Sequence, residues 1–222
     1  MASALDTVLE EIKKNTPLSF ETVQLMAVSK AQTVEAIKAL YLCGQRHFGE
    51  NYAQELIEKA ETLKERCPDI RWHFIGHLQS NKVKLILPWV ASIHSVHSVE
   101  LANEISRRWS ALNKEKALPI YLEVNIDEET TKHGLHPEEA ALVAKEIACL
   151  SSLFLQGLMC VPSTEGGLSG RSFQKLRELE LKCRPHTHGG LSMGMSSDYK
   201  VALREGSTCI RVGTALFGAR IK

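Results

Sequence analysis

No stretch of the 222 residues approaches the roughly 18 consecutive apolar residues that a membrane-spanning helix needs. The opening segment, MASALDTVLEEIKKN, lacks the basic start and apolar run of a secretory signal, and it lacks the arginines of a transit peptide. A surplus of one charge is missing too. Twenty-seven Lys and Arg against 26 Asp and Glu leave a formal net charge of +1, which gives no broad footprint for nucleic acid or an anionic membrane. The six cysteines (Cys43, Cys67, Cys149, Cys160, Cys183, Cys209) form no C-x-x-C pair. Cys160 and Cys209 lie inside apolar runs and read as small buried hydrophobes, so a reducing cytosol is the expected compartment. There is no Walker loop and no G-x-G-x-x-G, which removes support for classical nucleotide binding.

What is present is ordinary in amount and regular in order. Hydrophobic residues at 44% and charged residues at 24% suit a globular chain that can bury a full core without disulfides or metal. No Gly/Pro/Ser-rich linker divides it, so residues 1–222 are expected to form a single domain. Short, nearly continuous apolar runs at 23–29, 46–51, 71–76, 91–96, 119–125, 154–161, 191–194 and 208–213 read as parallel strands covered on both faces. Helical spacing recurs at 33–43, 50–66, 98–113, 137–149 and 171–183, with an extra helix over 4–15. Gly44 is a plausible C-cap, and Pro137 followed by two glutamates is a good helix start. STEGGLSG (163–170) reads as a flexible loop. Eight strands alternating with helices predict a (β/α)8 TIM barrel, with an open doubly wound sheet as the alternative.

Barrels of this kind place chemistry at the C-terminal ends of their strands. Lys30 directly follows Leu25-Met26-Ala27-Val28-Ser29, over an apolar floor where desolvation favours the neutral amine that imine formation requires. The plainer reading is a lysine that snorkels into water. The turn Gly213-Thr214, after the last strand, can offer backbone N–H groups to a phosphate, with Ser192 and Ser196 on the neighbouring loop as hydroxyl donors; an ordinary strand-ending glycine and a polar turn are the competing readings. Arg211 stands within the final strand; pointing inward it needs a fixed acceptor, such as a ring nitrogen or a carboxylate, and pointing outward it is a surface cation.

Two patterns are decoys. Gly190-Leu191-Ser192-Met193-Gly194 matches the G-x-S-x-G nucleophile elbow, but an apolar strand should precede it and residues 183–190 read CRPHTHGG. The last histidine, His188, also precedes Ser192, whereas the hydrolase order requires a histidine after the serine. The histidine pairs His73/His77, His94/His97 and His186/His188 lack the clustered third ligand of a zinc site, so no metal is expected.

Several segments together carry a resemblance. MAVSK (26–30), FGENYAQE (48–55), WHFIGHLQSNKVK (72–84), LEVNI (122–126), LSMGMS (191–196) and GSTCIRVGTALFG (206–218) are similar to the pyridoxal phosphate homeostasis protein family, also called YggS or PROSC. That family is similar to the N-terminal barrel of alanine racemase (fold type III), so the resemblance implies the same (β/α)8 fold. It also implies pyridoxal 5′-phosphate (PLP) as cofactor, joined to Lys30 as an internal aldimine. Gly213-Thr214 matches the phosphate-binding turn with Ser192, Met193 and Ser196 nearby, Arg211 matches the arginine facing the pyridine nitrogen, and Asn51 and His77 match residues near the cofactor. An arginine stays cationic and can only donate, so it would keep that nitrogen unprotonated and weaken the ring as an electron sink.

The chain ends at Lys222, without room for the β domain that supplies a catalytic tyrosine in the racemases. Among its tyrosines only Tyr199, just past LSMGMSSD, is placed to approach the site. The expected protein is therefore a cytosolic, monomeric PLP carrier that buffers the cofactor, hands it to PLP-dependent apo-enzymes and thereby influences amino-acid and keto-acid balance. It is not expected to turn over efficiently; a slow amino-acid racemase or lyase is the alternative. His133 and His97 stand where the family commonly has a small and an acidic residue.

Overall fold

The structure is a computed structural model that describes residues 2–218, with side chains described from Ala4 onward. Helix α1 (Ala2–Asn15) precedes strand β1 (Gln24–Val28), helix α2 (Val34–Leu42) and strand β2 (His47–Glu50). Next come α3 (Ala53–Leu63), β3 (Arg71–Phe74), the single turn α4 (Val83–Ile86), β4 (Val90–Val96), α5 (Val99–Ala111) and β5 (Leu118–Glu123). The chain continues through α6 (Ala140–Ile147), β6 (Leu153–Met159), α7 (Thr164–Ser169), α8 (Arg171–Cys183), β7 (Gly190–Ser192), α9 (Tyr199–Arg204), β8 (Cys209–Val212) and α10 (Thr214–Phe217).

The eight strands pair in parallel and in sequence order, and the sheet closes. Closure is direct: Leu25 lies opposite Ile210, and Met26 opposite Arg211. That pairing of first strand to last excludes the open doubly wound sheet. Burial on both faces explains the apolar runs read in the sequence, because one set of side chains fills the barrel and the other meets the helices. Phe48, Ile93, Ile120, Leu158 and Ile210 are fully buried.

The helices begin where polar caps allow. The Thr33 hydroxyl accepts from the Ala36 N–H at the start of α2, and the Ser98 hydroxyl accepts from the Leu101 N–H at the start of α5. Gly44, at φ +102°, turns the chain after α2 as a C-terminal glycine should. Pro137 opens a 3-10 turn, Pro137–Glu139, rather than the α-helix itself. One expectation fails: STEGGLSG is not a flexible loop. The Ser163 hydroxyl accepts from the Gly166 N–H and starts α7, which Gly170 ends at φ +79° before α8 begins. Two small capping residues outweigh the glycines' weak helix propensity here. Helix α1 packs its buried Leu5, Val8 and Ile12 against α9 and α10.

Among the described residues no helix is long and apolar enough to cross a membrane. The six cysteines are free thiols, with Cys160 and Cys209 buried.

Candidate functional site

A cavity of about 430 Å3 opens at the C-terminal end of the barrel, within the size range of small-molecule sites. Lys30, Asn51, Ser196, Arg211, Gly213 and Thr214 all line it, so residues from opposite ends of the sequence meet on one wall-to-wall surface. β1 and β8 are hydrogen-bonded neighbours, which is why the lysine and the glycine-threonine turn share a site.

Lys30 is held from both sides. Ser29 is fully buried and its hydroxyl donates 2.7 Å to Glu50 Oε1. Ala31 adopts the left-handed region at φ +56°, uncommon for a residue with a Cβ, and its N–H donates 2.9 Å to Glu55 Oε2. Lys59 completes this cluster, donating to the Ser29 carbonyl, to Glu50 and to Glu55. Burial pushes the Glu50 carboxyl up, while its bonds to Lys59 and Ser29 pull it back. A strained residue clamped by helix α3 thus fixes the turn that carries Lys30.

At the neighbouring end of β8, the N–H groups of Gly213 and Ala215 converge on the Ser196 hydroxyl oxygen, at 3.2 and 3.4 Å. This turn already gathers donors around one oxygen. Arg211 points into the barrel, and two of its nitrogens donate to the Ser192 carbonyl (2.5 Å), the Ser192 hydroxyl (2.8 Å) and the Cys160 carbonyl (2.7 Å). The sequence reading asked for a fixed acceptor; the acceptors within the chain are carbonyls and a hydroxyl, not a carboxylate. Glu123 and Asp198 are acids that feel the Arg211 charge, and Glu123 is the more deeply perturbed. Burial raises its carboxyl to about 7 against the pull of Arg211, and its Oε2 is buried without a partner among the described residues.

Asn51 Oδ1 is another buried oxygen without a partner among the described residues, and it belongs to a residue that lines the cavity. An acceptor left open beside a half-buried amine, a cationic fork and a turn of N–H donors suits an anionic, hydrogen-bonding aromatic aldehyde such as PLP. The donor set therefore fits that cofactor.

Three residues expected at the site lie elsewhere. Ser192 is fully buried in β7 with its hydroxyl taken up by Arg211 and His94, 2.8 Å from each, so it does not face the cavity as a phosphate donor. The same burial within a strand disposes of the nucleophile elbow. Met193 is fully buried in the core. His77 faces an adjacent groove that also touches Asn51, and it stacks on His133 and His97 at 4.0 and 4.8 Å between ring centroids. Its imidazole is held below the ordinary range by partial burial and by those two rings. None of the four tyrosines lines the cavity; Tyr199 is buried in α9 and Tyr121 stacks under His94. Sequence reasoning missed Gln32, Ile75 and Met195 in the cavity wall. Only their closeness to predicted strand ends could have pointed to them. Among the described residues no cluster is arranged to hold a metal.

The family model described as "Alanine racemase, N-terminal domain" matches residues 3–221. A pyridoxal phosphate homeostasis protein of Vibrio alginolyticus is 41% identical over 207 residues, covering 90% of this chain and 88% of that protein. The chain belongs to the pyridoxal phosphate homeostasis protein family. The human homeostasis protein is 39% identical over 210 residues, covering 89% of this chain and 76% of its own length. Among solved structures, PipY of Synechococcus elongatus with PLP bound superposes with a TM-score of 0.85 at 34% identity, covering 98% and 99% of the two chains. Alanine racemase from Corynebacterium glutamicum shares the fold, with a TM-score of 0.73 at 14% identity and 62% of its length covered. The family expected from the sequence motifs and the (β/α)8 barrel are both borne out.

Proposed function

We propose that the chain binds PLP in this cavity, as a single barrel domain, and serves as a cofactor carrier rather than a fast enzyme. The observation that carries the reading is the meeting of Lys30, Arg211 and the Gly213-Thr214 turn around one cavity of PLP size. A family relative of known structure holds PLP, and the relatives are named for its homeostasis.

The residues divide the work. Lys30 holds the cofactor as a Schiff base: its nitrogen bonds to the aldehyde carbon and water leaves. The turn at 213–215 and the Ser196 hydroxyl bind the phosphate. Arg211, a guanidinium that can only donate, would face the pyridine nitrogen and leave it unprotonated. Bound PLP supplies an electrophilic carbon and an electron sink, and a neutral ring nitrogen makes that sink a weak one. No tyrosine reaches the cavity to act as a second base, which supports holding over turnover. In this reading the protein is cytosolic and monomeric, and it delivers PLP to apo-enzymes, with effects on amino-acid and keto-acid balance.

Hydride reduction of the PLP-loaded protein, followed by peptide mass spectrometry, tests the assignment. The pyridoxyl label is expected on Lys30, and Lys30→Ala should lose the yellow absorbance while melting as a folded protein. A label on another lysine, or on none, overturns the reading.

A further inference from the structure

Below the cavity, six side chains stand in one unbroken file across the barrel interior. Arg211 Nη1 donates 2.8 Å to Ser192 Oγ, which lies 2.8 Å from His94 Nδ1. His94 Nε2 lies 2.8 Å from Ser92 Oγ, and Ser92 Oγ lies 2.6 Å from His73 Nδ1. His73 Nε2 then lies 2.9 Å from His47 Nδ1. The file draws on β8, β7, β4, β3 and β2, and its four middle members are at most 4% exposed.

The protons in this file can be counted. A guanidinium only donates, so Ser192 Oγ accepts from it. The hydroxyl then has one proton, and His94 Nδ1 is its acceptor. A neutral His94 consequently carries its proton on Nε2 and donates to Ser92. The Ser92 proton goes to His73 Nδ1, and His73 Nε2–H donates to His47 Nδ1. Every link then has one donor and one acceptor. The reverse direction would make Ser192 Oγ accept twice and leave its proton to the Cys209 thiol, a weak acceptor. Neutral rings are what burial enforces: the His73 imidazole is pushed down to about 3 and that of His94 well below its ordinary value.

We propose that this file is a one-way hydrogen-bond relay in which Ser192 and His94 are positioning residues for Arg211, backed by Ser92, His73 and His47, whose ring tautomers it dictates. It holds a buried cation on neutral partners, which keeps the guanidinium aimed without neutralising it. The consequence for the cofactor rests on reading the cavity as a PLP site; the tautomers do not.

Two measurements separate these. In the ligand-free, 15N-labelled protein, long-range proton–nitrogen spectra should show His73 and His94 neutral with the proton on Nε2. A proton on Nδ1 of either ring, or an imidazolium, at pH 7 overturns the relay. In the PLP-loaded protein, His94→Leu and Ser192→Ala should each weaken PLP binding by roughly tenfold, the scale of one buried hydrogen bond to a charged group, and shift the absorbance band. His94→Gln, which keeps a donor and an acceptor, should stay within about twofold on the same scale. If His94→Leu lowers the melting temperature but moves neither affinity nor band, the file is structural only and the proposal fails. If the wild-type protein binds no PLP, the cavity reading fails, while the tautomer spectra still decide the relay.

Discussion

The ammonium of Lys59 lies 2.8 Å from the carbonyl oxygen of Ser29, the residue before Lys30. The same ammonium meets Glu50 Oε1 at 2.8 Å and Glu55 Oε2 at 2.7 Å, and Glu55 in turn accepts from the Ala31 N–H. A lysine that never enters the cavity therefore grips the peptide on both sides of the one that does. This is a buried ion cluster, and its members are worth more together than apart, because each charge needs the others once water is gone.

Removing that grip should be costly. Lys59→Met leaves Glu50 fully buried and unpaired, so urea denaturation at pH 8 should show a loss of about 3–5 kcal/mol. At pH 5 the loss should be smaller, since Glu50 can then take up a proton. The double variant Lys59→Met/Glu50→Gln should recover most of it. A single-variant loss below about 1 kcal/mol at pH 8 would mean that the cluster does not hold the turn.

Glu123 offers a pH test in which the sign is fixed by burial. Its folded carboxyl is raised from the ordinary 4.5 to about 7, so the folded state prefers it protonated. Its cost is absent below the unfolded value, grows as pH rises from about 4.5 to about 7, and stays constant above that. Glu123→Gln should therefore stabilise the protein at pH 8, by up to roughly 3 kcal/mol, and change it little at pH 4.5. Denaturation midpoints at the two pH values decide it; equal effects at both would place the Glu123 titration elsewhere.

Gly76 is the residue that lets the segment after β3 pass close to the Asn51 backbone. A Cβ there would lie 2.0 Å from the Asn51 carbonyl oxygen and 2.7 Å from its Cα, so backbone must move. Gly76→Ala is expected to cost about 1–3 kcal/mol, as overpacking does, and to weaken PLP binding because Asn51 lines the cavity. PLP titration by absorbance checks this, and an affinity equal to wild type would separate Asn51 from the cofactor.

The carrier reading predicts little chemistry on amino acids. Overnight incubation of the loaded protein with L-alanine, followed by chiral chromatography, should give no more D-alanine than free PLP at the same concentration. Turnover well above that background would favour the slow racemase or lyase instead.

Most of the barrel was legible in the chain because both faces of most strands are buried, which writes nearly continuous apolar runs such as LMAV (25–28) in β1 and FLQGLM (154–159) in β6, broken there only by Gln156 and Gly157. Strand and helix order followed from those runs, from helical spacing between them and from the punctuation of Gly44 and Pro137. The helix over 164–169 was hidden, because its content is set by Ser163 and Gly170 at its ends against two glycines inside. Lys30, Asn51, Ser196, Arg211, Gly213 and Thr214 could be named from strand ends and motif resemblance, since a strand end is a local property.

What sequence alone could not decide is which way a side chain faces and what it meets across the barrel. Ser192 and Ser196 are four residues apart, yet one is sealed beneath Arg211 and the other opens to the turn at Gly213. His47, His73 and His94 come from three successive strands whose pairing lines them up, and closure of the barrel then joins that file to Ser192 and Arg211. Burial and partner choice are set by contacts between distant segments. Local pattern can therefore mark the residues that carry chemistry, but only packing determines whether each faces the ligand or supports the residue that does.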